Sequence, residues 1–89
     1  MIRGLFVGGV VDNTEIDLDP GQPPVHYPQD GGGGQPRYRL RQLGVAAGGE
    51  VACAVYGAPD TPYAEVARVS DERDYARRFG VELEEVEGD

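Results

Sequence analysis

Apolar and polar residues alternate along several short stretches of this chain, which is the spacing of half-buried strands. Residues 14–19 place Ile16 and Leu18 on an inward face and Glu15, Asp17 and Asp19 on an outward one. They follow the apolar run 2–7, with Leu5 and Val7 on one face and Phe6 on the other. Gly8-Gly9 ends that run, and Asp12-Asn13 supplies a turn, so the two segments predict a hairpin. Residues 38–43 alternate again, with Tyr38, Leu40 and Gln42 against Arg39, Arg41 and Leu43. The run 50–56 is almost continuously apolar and predicts a central strand covered on both faces. With a turn at Ala46-Ala47-Gly48-Gly49, these two runs make a second hairpin.

The rest of the chain breaks this rhythm. Residues 20–36 hold five prolines and the run Gly31-Gly32-Gly33-Gly34, and predict a long loop with a mobile tip. Within it, Val25-His26-Tyr27 is an apolar island suited to an extended edge segment. Residues 63–69 fit two patterns. Thr61-Pro62 is a helix start signal, but alternation favours a strand, because Ser70 opens a fresh helix start. Asp71, Glu72 and Asp74 load a first turn, Arg77 and Arg78 a last turn, and Gly80 a C-terminal cap. A helix is therefore expected over 71–79, burying Tyr75, Ala76 and Phe79. Residues 81–89 alternate once more and add a last strand that frays into an acidic end over 82–89. The expected fold is one α+β domain over 1–89: a small antiparallel sheet of four to six strands with one short helix in the C-terminal half.

Composition narrows the function. In 89 residues there are sixteen Asp and Glu against eight Arg and no Lys, for a formal net charge of −8. Phosphate backbones bind proteins that supply cations, so nucleic acid is not the expected partner. A protein with a basic surface is. The acids form three groups: Glu15, Asp17 and Asp19 on the second strand; Asp71, Glu72 and Asp74 at the helix start; Glu82, Glu84, Glu85, Glu87 and Asp89 at the end. Helix-dipole compensation covers the helix group. The first and last groups are the candidate acidic interface: Glu15, Asp17, Asp19, Glu82, Glu84, Glu85 and Glu87.

Candidate chemistry is sparse. Cys53 is the only cysteine and sits in an apolar run, as a buried small hydrophobe does. It has no partner for an internal disulfide. His26 is the only histidine and lies in the Gly- and Pro-rich loop, with no nucleophile and orienting acid set around it. One Cys and one His do not make a zinc site, and no cofactor or metal is expected. Gly8-Gly9 lacks the lysine and following helix of a phosphate loop. An anionic nucleotide would draw its donors from Gly8, Gly9, Arg37, Arg39 and Arg41, the alternative ligand-binding set. No run is apolar enough to span a bilayer, and the opening segment reads as a strand with no cleavage site after it, so a cytoplasmic protein is expected.

The opening run Ile2-Arg3-Gly4-Leu5-Phe6-Val7-Gly8-Gly9-Val10-Val11-Asp12-Asn13 resembles the start of many short bacteriophage and prophage proteins, in which a strand runs into a G-G-P-x-D-G turn. Here Val10 stands in place of the usual Pro and Asn13 in place of the usual Gly. The resemblance implies a phage accessory protein acting in a host cell, and carries no catalytic residues. Together these readings predict a non-enzymatic acidic binding protein that modulates or inhibits a host protein, such as a defence complex. The alternatives are an oligomeric sponge for an anionic nucleotide signal and a minor virion component.

Overall fold

The computed structural model describes residues 2–9, 12–18, 23–27 and 37–86. Its elements run β1 (Ile2–Val7), β2 (Thr14–Leu18), β3 (His26–Tyr27), β4 (Tyr38–Ala46), β5 (Val51–Gly57), α1 (Tyr63–Glu72), α2 (Tyr75–Phe79) and β6 (Val81–Glu85). They form an α+β domain: a curled six-stranded sheet in the order β2-β1-β5-β4-β3, with β6 also paired to β4. The Gly31–Gly34 tip, Asp19 and Glu87 lie outside the described residues.

Both predicted hairpins form. β1 and β2 pair antiparallel with Gly4 opposite Ile16, and β4 and β5 pair antiparallel with Leu40 opposite Tyr56. The apolar island forms β3, which pairs His26 with Arg39. The sheet is not wholly antiparallel, because β1 and β5 run parallel with Leu5 beside Val55. This pairing buries two apolar strands side by side at the centre of the sheet, where each is covered on both faces.

Residues 63–69 are helix, not strand. Pro62, with extended backbone, precedes the first turn, and Glu65 and Val66 donate their N–H groups to its carbonyl. Val66, Val69 and Ser70 are the buried residues, at helical spacing. Ser70 is thus inside α1 and is not a cap. The expected helix over 71–79 is divided at Arg73-Asp74, where Asp74 adopts a left-handed conformation with φ 59°. The Asp74 carbonyl then accepts the N–H of Arg78 as α2 begins, and Gly80 closes α2 at φ 62°.

The two sheet faces carry separate cores. On one, Leu5, Val7, Cys53 and Val55 pack under Val66, Val69 and Tyr75 of the helices. On the other, Ile2, Phe6, Leu18, Leu40 and Tyr56 gather with Tyr38. The Phe6 ring stacks on Tyr56 at 5.1 Å and meets Tyr27 and Tyr38 edge-on at 5.1 and 5.0 Å. Tyr27 lies on the far edge of the sheet, so its contact with Phe6 measures the curl. Tyr56 donates its hydroxyl to the Pro24 carbonyl at 2.6 Å, which pins the segment before β3.

A bulge in β4 between Leu40 and Gln42 changes the predicted facing. Gln42 shares a face with Val55 and turns under α1, while Leu43 joins the opposite core. There Gln42 is buried. Its carbonyl oxygen accepts from the Ser70 hydroxyl at 2.8 Å, and its amide donates to the Tyr63 hydroxyl at 3.0 Å. The helix face also depends on two glycines with no room for a methyl group. A Cβ at Gly57 would lie 2.9 Å from Val66 Cγ2, and one at Gly44 would lie 2.3 Å from Cys53 Sγ.

Candidate functional site

The expected acidic interface divides between opposite edges of the sheet, with Glu15 and Asp17 on β2 and Glu82, Glu84 and Glu85 on β6. The two groups differ in what surrounds them.

Glu15 does not face outward. It pairs across the hairpin with Leu5, on the face the helices cover, and its side chain is only 15% exposed. Arg3 donates to it at 3.2 Å from its own sheet, Arg78 approaches at 3.4 Å from α2, and Arg73 donates to it from the joint between the helices. Arg73 also holds the β1–β2 turn, through the Asn13 carbonyl at 3.0 Å. Burial by itself would raise the Glu15 carboxyl. Arg78, Tyr75 and Arg73 outweigh burial and hold the carboxyl below its usual range. Asp17 is paired with Arg3 at 2.9 Å. The β2 acids are therefore parts of the bond between sheet and helices.

Two acids of α1 are neutralised in a similar way: Arg68 bridges Glu65 and Glu72, one turn to either side of it. Arg77 lies 3.8 Å from Asp74. Arg3, Arg68, Arg73, Arg77 and Arg78 are thus all engaged with acids of β2 and the helices.

Among the described residues, no arginine side chain forms an ion pair with an acid of β6. Glu82, Glu84 and Glu85 are exposed and form no ion pair or side-chain hydrogen bond among the described residues. Between them Leu83 packs toward Gly44, and Val81 anchors the start of the strand. Beside the strand lies an open hollow of about 420 Å³, lined by Val45, Ala46, Ala47 and Val81 together with Glu82 and Glu84. Apolar floor and free carboxylates side by side suit a Lys or Arg side chain, whose stem is apolar and whose head is charged. Neither the bulk of the hollow nor its chemistry was legible from the sequence, because Val45–Ala47 and the β6 acids are far apart along the chain.

The alternative set meets at the other end of β4. Arg39 pairs with Gly57, which pairs with Val7, so the arginines stand near the Gly8-Gly9 turn. That turn is internally occupied. Gly8 N–H donates to Asp12 Oδ1 at 2.6 Å, and its carbonyl accepts from the Tyr38 hydroxyl at 2.5 Å. Thr61 packs so closely that a Cβ at Gly8 would meet its hydroxyl, and φ there is +81°. The glycines make the turn possible and leave no amide of Gly8 for a phosphate. Arg41 lies over the Tyr63 ring, 5.6 Å from its centroid, with its Nε buried and lacking an acceptor among the described residues.

Cys53 is fully buried, and burial pushes its thiol up to about 11. Among the described residues, no group of three or more His, Cys, Asp and Glu side chains is placed to hold a metal ion. Nor is any helix long and apolar enough to cross a membrane. Scans against known protein families, characterised proteins and solved structures each found no match to this chain.

Proposed function

We propose that this chain is a small non-enzymatic binding protein that sets the acidic β6 edge against a basic surface of a partner protein. One observation carries the reading. Glu15, Asp17, Glu65, Glu72 and Asp74 are matched by arginines of the same molecule, while Glu82, Glu84 and Glu85, clustered on one strand, have none among the described residues. Unmatched like charges on one short strand repel each other, and a cationic partner relieves that repulsion. The resemblance of the opening strand and turn to phage proteins supports a host protein as that partner, and a modulating or inhibiting role. The test is equilibrium binding of an oligo-arginine peptide to the wild type and to Glu82→Gln/Glu84→Gln/Glu85→Gln. The reading expects the variant to fold and to bind much more weakly; equal binding overturns it.

A second reading, a binder of an anionic nucleotide, keeps one supporting observation in the buried, acceptor-less Nε of Arg41 beside Tyr63. It expects nucleotides to raise the melting temperature of the wild type and not of Arg39→Gln/Arg41→Gln.

A further inference from the structure

We infer that β6 receives its partner by strand addition: an extended basic segment pairs with the outer edge of the strand. This rests on the proposed acidic interface and specifies how it is used.

The backbone of β6 gives the first argument. Val86 N–H donates to the Arg41 carbonyl, so Val86 turns its backbone groups toward β4. Residues two apart in a strand share that direction. Glu84 and Glu82 therefore also face β4, and Leu83 and Glu85 turn their N–H and C=O groups to the outer side. Among the described residues no strand pairs there. This is an open row of donors and acceptors, the usual receiver for an added strand.

The charges identify the occupant. A second copy of β6, added antiparallel about Leu83, would set Glu82 against Glu84 at both ends, and like charges directly opposite are destabilising. The edge thus rejects its own kind. A segment alternating Lys or Arg with other residues would place cations beside Glu82 and Glu84 on one face, where the hollow lined by Val45, Ala46 and Ala47 takes an aliphatic stem. The β2 edge does not compete for this ligand, because Glu15 and Asp17 are already paired with arginines.

The test uses two synthetic peptides of alternating Lys and Thr. One is unmodified. The other is N-methylated at every backbone amide, which keeps all its charge and removes its N–H donors. The inference expects the unmodified peptide to slow hydrogen exchange at the Leu83 and Glu85 amides. It expects the methylated peptide to bind at least about tenfold more weakly, the scale of one or two lost hydrogen bonds. If both peptides bind alike without protecting those amides, strand addition is overturned and the acidic interface stands. If neither binds, the interface falls as well.

Discussion

Glu15→Gln keeps the size of the side chain and removes the one negative charge at which Arg3, Arg73 and Arg78 converge. Arg3 and Arg78 are 38% and 43% exposed, so solvent screens them and each pair is worth about 0–1 kcal/mol. Arg73 is 29% exposed, against 15% for Glu15, and its charged hydrogen bond is worth about 1.5–3 kcal/mol. The expected loss is therefore about 2–3 kcal/mol. A domain of this size has about 4–13 kcal/mol in all. Thermal melting followed by circular dichroism should show a fall of about 8–24 °C. The pH dependence gives a second readout. The folded-state carboxyl of Glu15 is held below its ordinary value of 4.5, so its contribution is fully present above that pH. It is lost as pH falls through the lower, folded-state value. Glu15→Gln should lack this part of the acid-induced loss. A variant that melts within about 0.5 kcal/mol of wild type, with the same acid slope, would refute the assignment of Glu15 to the sheet–helix bond.

Three further outcomes follow from the packing. Gly44→Ala should destabilise by about 1–3 kcal/mol in chemical denaturation, with partial rescue by Cys53→Ala, because Cys53 Sγ is the nearer of two atoms in the way and Val81 Cγ2 the other. Tyr75→Ala should cost about 3–5 kcal/mol and Phe79→Ala clearly less, since Tyr75 is fully buried while Phe79 is only half-buried at the end of α2. Cys53, inaccessible and with its thiol raised to about 11, should resist a thiol reagent at neutral pH in the native protein and react on unfolding.

Local pattern carried the hairpins and the edge segment at His26–Tyr27, because each rests on neighbouring residues and a turn between them. It did not carry the parallel pairing of β1 with β5, which joins strands separated along the chain by β2, β3 and β4. The strand expected over 63–69 came from counting alternation in a stretch where Tyr63, Val66, Val69 and Ser70 also fit a helix. The sheet chose between them, because Gly57 opens a seat for Val66 under α1. The left-handed joint at Asp74 has no pattern of its own, though Asp tolerates that conformation. The acidic surface was only half legible. Charge counting found both groups, but only the folded chain brings Arg73 and Arg78 onto Glu15 and leaves Glu82, Glu84 and Glu85 unmatched.

The most direct test of that distinction is the association rate of an oligo-arginine peptide as a function of salt, measured by stopped flow on three proteins of known charge. These are the wild type, Glu82→Gln/Glu84→Gln/Glu85→Gln, and Asp60→Asn/Asp71→Asn/Glu72→Gln, which removes equal charge from exposed sites on α1 and the loop before it. Steering by a local patch depends on where charge sits and is screened over about 8–10 Å. The account predicts a slower rate and a flattened salt dependence for the β6 variant alone, with the control close to wild type. If the two variants slow and flatten equally, only net charge matters, and β6 is not the interface.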